Sequence, residues 1–532
     1  MPSVWNVPHR RNPHFTGREK LVAQLHAALT SRRSTALVQA IHGPDGVGKT
    51  QLAVEHAYRH AGAYDVVWWV RAEEPVVLAA DYAGLARELT LPESEAAEQA
   101  VIVAAVRRWL EQHTGWLIVF DDVRDPEDLR GYLPDARTGH VIVTSRDPNW
   151  RGLAEPVHVP VMIRSEAVEF LLKRTGQTDE AAAAALAGAL GDLPLALEQA
   201  GAYIAATEGT LAGYLLLFRA RREDLLRRGA RPPDDPAIVT TTWEIAFRRV
   251  EQETPWAAML LNVCAFLAPD GIPREIFGDA AAQALEGSAA EALGDPVVLD
   301  DAVLELRRYS LIAAGETLCA HRLVQAAARD RLPEDERKTW AHVAVRLVNA
   351  AFPDDVGDVG QWPACSGLLA HALAALGHVE SLVVTADPVG RLLNQVGAYL
   401  RSRAEFQAAR ACFERALHID EAAYGPDHPN VAAIANNLGR VLQDLGDLAQ
   451  AKAHLERAVR IDEAVYGPDY PEVAKDLNNL GAVLHDLGNL AEAQACYERA
   501  LGIFRRSLGE DHPHTQAVRE DLDFLRSQTR RA

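Results

Sequence analysis

Between residues 386 and 513 the chain repeats itself with a period of 42 residues, and no other feature restricts its fold as tightly. Tyr424-Gly425-Pro426-Asp427 returns as Tyr466-Gly467-Pro468-Asp469, Gly509-Glu510-Asp511 follows at the same offset, and Pro429, Pro471 and Pro513 share it. Small and large positions return too. Gly397, Gly439 and Gly481 stand twelve residues before an alanine (Ala409, Ala451, Ala493), sixteen before a bulky residue (Phe413, Leu455, Tyr497) and nineteen before a second alanine (Ala416, Ala458, Ala500). Two antiparallel helices approach closely only where one side chain is small and a bulky neighbour fills the adjacent hole, so the spacing predicts one helix pair per period.

The array accounts for only part of the molecule. At ~100–200 residues per domain, 532 residues imply about three to five domains. The chain is 48% hydrophobic and 24% charged, which supplies several cores and excludes wholesale disorder. A net charge of −20 repels phosphate backbones and anionic lipid, so coating nucleic acid or membrane is not expected as its main task. The five cysteines (Cys264, Cys319, Cys365, Cys412, Cys496) are scattered and never in CxxC spacing, which indicates neither a disulfide framework nor a cysteine zinc site. Met1 to Phe15 lack an apolar leader core and no run of 18 apolar residues occurs, so the expected location is cytoplasmic.

The N-terminal third alternates short apolar runs (Thr35–Ile41, Val66–Val70, Trp116–Phe120, His140–Thr144) with helical stretches, the pattern of a parallel sheet covered on both faces. Residues 160–220 then read as wholly helical, Arg231–Pro236 as a boundary, and Leu311–Leu318 as a hairpin. Helices interrupted by Pro353–Trp362 lead into the repeats.

Gly43, Pro44, Asp45, Gly46, Val47, Gly48, Lys49 and Thr50 fit G-x-x-x-x-G-K-[ST] between an apolar strand and an amphipathic helix that continues with Gln51. Glycines let successive backbone N–H groups turn inward around a phosphate, Lys49 bridges the outer phosphates, and Thr50 is placed to ligate Mg²⁺. Trp116–Phe120 ends in Asp121 and Asp122; Asp121 would hold Mg²⁺ through water, and Asp122 would orient or deprotonate the attacking water unless it merely caps a helix. Arg146 ends the next strand, where it would sense a γ-phosphate or stand as a surface arginine.

Residues 386–513 resemble the tetratricopeptide repeat (TPR) in its 42-residue form, which implies a scaffold for a protein or peptide ligand. Asn436, Asn437, Asn478 and Asn479 lie where such grooves contact peptides; equally, one of each pair would satisfy inter-repeat backbone groups. Residues 15–335 resemble the NB-ARC core of the signal-transduction ATPases with numerous domains (STAND). The resemblance rests on Phe15-Thr16-Gly17-Arg18-Glu19, the phosphate loop, the Asp pair, Thr144-Ser145-Arg146, Gly191-Asp192-Leu193-Pro194-Leu195-Ala196-Leu197 and Cys319-Ala320-His321-Arg322. It implies that Phe15, Gly17 and Arg18 lie near adenine, that Pro194 packs on the base, and that His321 contacts the ADP β-phosphate; alone, His321 would read as a structural histidine. Asp192 and Arg322 depart from the more common residues.

The expected fold class is therefore multidomain α/β plus all-α. A P-loop nucleotide-binding domain (1–160), a helical domain (161–235), a winged-helix domain (236–335) and a helical linker (336–385) precede a TPR α-solenoid (386–532). The resemblance implies a switch: an ADP-bound closed state, opened by a ligand on the TPR array, with ATP/ADP exchange, slow hydrolysis assigned to Lys49, Asp121, Asp122 and Arg146, and homo-oligomerisation when ATP is bound. Fourteen residues precede Phe15 and about 20 follow the last repeat, so output is expected through an effector protein in trans unless the chain is a fragment. Two other readings are a non-cycling TPR adaptor with a structural nucleotide and, less favoured, a DNA-binding regulator using Arg219, Arg221, Arg222, Arg227, Arg228 and Arg231.

Overall fold

The computed structural model describes residues 2–30, 38–135, 138–150, 153–227, 237–278, 281–282, 285–380 and 387–529. The chain forms two compact units, Met1–Ala351 with Ser366–Val383 and Phe352–Cys365 with Val384–Ala532.

The first unit is built on a six-stranded, wholly parallel sheet. Its strands are β1 (Val4–Trp5), β2 (Val38–His42), β3 (Val66–Arg71), β4 (Trp116–Val123), β5 (His140–Ser145) and β6 (Glu155–His158), in the order β1-β3-β4-β5-β2-β6. The apolar runs are buried on both faces because their side chains alternate between two cores. Trp68, Ile118 and Phe120 pack with Tyr82 and Val106 under α3 (Pro75–Glu88) and α4 (Gln99–Gln112). Trp69, Val119 and Ile142 pack with Leu25 and Leu52 under α1 (Glu19–Thr30) and α2 (Lys49–Arg59). The four apolar runs thus appear as strands, with Thr35–Leu37 outside the described residues. The edge strands β1 and β6 were not expected, being two and four residues long with too little periodicity to register.

Residues 164–227 form four helices, α5 (Arg164–Thr175), α6 (Glu180–Ala189), α7 (Pro194–Ala206) and α8 (Leu211–Arg227). The boundary read at Arg231–Pro236 lies outside the described residues. Among the described residues the helices Ala237–Glu253, Pro255–Cys264, Gly287–Gly294, Pro296–Arg308 and Arg322–Arg331 follow, with an antiparallel sheet of Ile272–Pro273, Thr317–Cys319 and Ala313–Ala314. The last two strands form the hairpin read in the sequence.

In the second unit, antiparallel helices follow the 42-residue period: Asp387–Ser402 with Phe406–Tyr424, Pro429–Asp444 with Leu448–Tyr466, Pro471–Asp486 with Leu490–Ser507, then Pro513–Thr529. Three of them open on proline, whose missing N–H costs nothing at a first helical position. The small-to-large spacing is physical contact. A Cβ added at Gly397 would stand 2.9 Å from Phe413, at Gly439 2.6 Å from Leu455, and at Gly481 2.8 Å from Tyr497. Gly439→Val is therefore expected to cost about 1–3 kcal/mol by overpacking, read as an earlier thermal transition; an unchanged transition would mean that the helices part at no cost.

Candidate functional site

The strand order decides what meets at the carboxyl edge of the sheet. β5 lies between the phosphate-loop strand β2 and the acidic strand β4, so Thr144 on β5 comes beside Asp121 on β4. Thr50 Oγ1 donates to Asp121 Oδ1 at 3.1 Å, and the Thr144 hydroxyl donates to the same oxygen. The β4–β5 register shifts between Phe120 and Val123, and Asp122 takes a left-handed φ of 60°. This bulge re-aims Asp122, whose backbone N–H donates to Thr144 Oγ1 at 2.8 Å.

The phosphate loop turns through glycines at positive φ, Gly46 at 76° and Gly48 at 87°, before α2 begins at Lys49. Lys49 Nζ donates to the Gly43 carbonyl at 2.8 Å and the Pro44 carbonyl at 3.0 Å, with Asp45 at 3.6 Å. Burial lowers its pKa, while the Asp45 and Asp122 carboxylates oppose that shift. Arg146 Nε lies 3.2 Å from Asp45 Oδ1, so the structure places this arginine on the loop itself. Arg18 is buried, with its guanidinium on the Val47 and Pro160 carbonyls and its N–H donating to Glu166 at 3.0 Å.

A cleft of about 430 Å³ opens over this edge. Among the expected nucleotide residues, Phe15, Arg18, Asp45, Gly46, Gly48, Lys49, Thr50, Gln51, Pro194 and His321 line it, as do Asp121 and Asp122. Gly17, Gly43, Pro44 and Val47 are not among the lining residues: Val47 is buried, Pro44 is exposed, and a Cβ at Gly17 would meet Glu166 at 2.6 Å and one at Gly43 the Val159 carbonyl at 2.6 Å.

His321 caps the helix Arg322–Arg331, its Nδ1 accepting from the Leu323 N–H at 3.2 Å, which leaves Nε2 to carry the proton. Its exposed ring surface opens into the cleft rather than bulk water, and burial, then Arg322, hold its pKa down to about 4. The ring is a neutral donor at physiological pH. Arg322, seen in the sequence only as a departure, forms an ion pair with Asp122 and lies 3.8 Å from Glu73. Residues 200 apart in sequence meet here, and no local pattern announces that contact.

Burial, then the Asp270 carboxylate, push Asp121 up to about 6. A carboxylate pressed upward by its surroundings beside a threonine hydroxyl is a donor set that suits a hard divalent cation. The glycine turns and the ammonium of Lys49 likewise fit a phosphate chain.

Residues 18–179 match the NB-ARC domain, and residues 389–464, 431–506 and 472–522 match the tetratricopeptide repeat. The chain carries an NB-ARC domain and tetratricopeptide repeats. Residues 248–337, downstream of the NB-ARC match, match a domain of unknown function (DUF7779). A nucleotide-binding leucine-rich repeat (NLR)-like protein of Hyaloscypha variabilis is 27% identical over 470 residues, 80% of this chain and 46% of that protein. The regulatory protein AfsR of Streptomyces griseus is 30% identical over 352 residues, 60% of this chain and 34% of that protein. The chain thus spans less than half the length of these curated relatives. A STAND protein with a tetratricopeptide repeat sensor from Pyrococcus horikoshii aligns over 98% of this chain and 81% of its own, with 15% identity and a TM-score of 0.49. No described helix is long and apolar enough to cross a membrane.

In the repeats, the four expected groove asparagines tie repeat to repeat. Asn437 Nδ2 donates to Asn394 Oδ1 at 3.0 Å, Asn479 Nδ2 to Asn436 Oδ1 at 2.7 Å, Asn436 Nδ2 to Asp476, and Asn478 bonds Asp521. The inter-repeat alternative is the one with hydrogen bonds in place, and they run between side chains rather than to backbone. Arg221, one of the arginines offered for DNA, lies 2.6 Å from Glu244.

Proposed function

We propose that this chain is a nucleotide-switched regulatory ATPase of the STAND type, whose repeats sense a protein or peptide and whose closed state holds ADP. The observation that carries this reading is the Arg322–Asp122 ion pair across the cleft. It joins the helix that His321 caps to the acidic strand and occupies the carboxylate best placed to take a proton from water.

In this reading Lys49, with the turned backbone of Gly46 and Gly48, holds the phosphates, Thr50 and Asp121 hold Mg²⁺, and His321 donates to the β-phosphate. Phe15 and Pro194 flank the base. Mg²⁺ would neutralise charge on the phosphates. Hydrolysis requires Asp122 free, so closure and catalysis exclude one another while Arg322 is engaged. Ligand on the repeats favours the open state, which releases ADP, accepts ATP and presents surfaces for homo-oligomerisation and for an effector in trans. Moving from 1:99 to 99:1 takes about 5.5 kcal/mol of differential binding, shared between the ligand and nucleotide exchange.

Arg322→Ala tests the reading. A hydrogen bond between charged groups contributes about 1.5–3 kcal/mol, so removing it is expected to speed release of a fluorescent ADP analogue by roughly tenfold or more. Unchanged release with unchanged ATP turnover would mean that the contact locks nothing.

A further inference from the structure

Away from the nucleotide cleft, three histidines meet where α1 packs on α2. His56 and His60 are four residues apart on α2 and its C-cap, a spacing that sets two imidazoles on one helical face. His26 reaches over from α1. Its ring stacks on His60 at 3.7 Å between centroids with 6° between planes, while His26–His56 and His56–His60 are 5.7 and 4.7 Å apart. One ring nitrogen from each lies within 4.8 Å of the other two.

Buried ring nitrogens normally have partners, and two here have none among the described residues: His26 Nδ1 and His56 Nδ1. The opposite nitrogen of His56 faces the Tyr64 hydroxyl at 3.4 Å, which in turn meets His140 Nδ1 at 2.8 Å. That outer chain orients the ring and leaves Nδ1 free, the arrangement that sets the tautomer of a metal-binding histidine. Burial, then His60 and His26, lower His56 to about 3; burial, then His26 and Arg59, lower His60. Neutral imidazole is the ligating form. Arg59, whose charge bears on His60, is engaged by Glu55 and Glu19.

We propose that His26, His56 and His60 bind one late first-row divalent cation, Zn²⁺ by preference, clamping α1 to α2, with the fourth position open to water. Imidazole nitrogens on tetrahedral zinc stand about 3.3 Å apart, given Zn–N of about 2.0–2.1 Å, so binding would draw the set in from its spread of up to 4.8 Å and unstack His26 from His60. The site is distinct from the Mg²⁺ site: the 11 residues of α2 put roughly 16 Å between Lys49 and the histidine end.

The test uses the full chain, stripped with a chelator and held in saturating ADP and Mg²⁺ so that the cleft's oxygen ligands are occupied. Titration with Co²⁺ is expected to give one equivalent with the visible absorption of a tetrahedral site, displaced by Zn²⁺. His26→Gln and His60→Gln, whose folding is checked by circular dichroism, are each expected to weaken uptake by tenfold or more. A Zn²⁺-dependent rise in melting temperature is expected in the wild type and absent from both variants. Wild-type uptake no greater than that of the double variant carrying both His26→Gln and His60→Gln would overturn the proposal. So would uptake that survives in the double variant and disappears with Cys319→Ser, because His9, Asp270 and Cys319 also lie within ligating reach of one another in the cleft.

Discussion

Lys49→Ala is expected to weaken ADP and ATP binding by roughly 100- to 1000-fold without lowering the melting temperature of the nucleotide-free chain. The Lys49 ammonium is spent on the Gly43 and Pro44 carbonyls, and burial opposes its charge. Folding therefore gains little from it. Against a phosphate the same group makes charge-assisted bonds worth about 1.5–3 kcal/mol each, and two of them account for the loss. Alanine also removes the cation that holds Asp45 at 3.6 Å, leaving Arg146 as its partner across 3.2 Å. Calorimetric titration with ADP and Mg²⁺ reads the affinity, and a melting curve without nucleotide reads the fold. Equal affinities for wild type and variant would show that this cleft does not cradle phosphates, whatever its glycine spacing suggests.

The contrast between Lys49 and Arg322 explains how much of the site was legible in the sequence. The phosphate loop is a local device: its glycines are required by positive φ at Gly46 and Gly48, and strand, loop and helix are contiguous, so spacing alone locates it. The repeats are legible for a similar reason, since the contact of Gly439 with Leu455 recurs at Gly397 and Gly481 and periodicity records it three times. The ion pair of Arg322 with Asp122 has no such signal. It depends on the bulge at Phe120–Val123, on the left-handed turn at Asp122 and on a helix from a separate segment arriving over the cleft. The asparagine ladder was half legible: the residue types imply polar pairing, but only the stacking offset shows that Asn479 reaches Asn436 rather than a ligand. In the histidine cluster the spacing of His56 and His60 is visible in the chain, whereas His26 joins them only once α1 is packed.

The carboxyl pair of Asp462 and Asp476 carries the second large effect. Asp462 on Leu448–Tyr466 and Asp476 on Pro471–Asp486 are 5% and 3% exposed and bond each other, and Asn436 donates to Asp476 from a third helix. Asp462 Oδ1 and Asp476 Oδ2 are buried without another donor among the described residues, so the pair must hold a proton between them. Burial, then the Asp462 carboxylate, push Asp476 up to about 8, with Glu472 adding to the rise. An acid raised on folding keeps a proton that the unfolded chain has released, so stability falls as pH climbs from about 4 toward about 8 and levels off above. Asp476→Asn keeps the shape, accepts from Asn436 and offers its own N–H₂ to Asp462, which no longer needs the proton. At pH 8 the substitution is expected to slow amide exchange in Pro471–Asp486 by about 10- to 30-fold, equivalent to roughly 1.4–2 kcal/mol, and to flatten the pH dependence. Hydrogen exchange of the full chain at pH 5 and pH 8, corrected for the intrinsic rate, separates the outcomes. A variant that retains the wild-type slope would place the shared proton elsewhere, whereas a flat profile assigns the alkaline weakness of the repeats to this one buried pair.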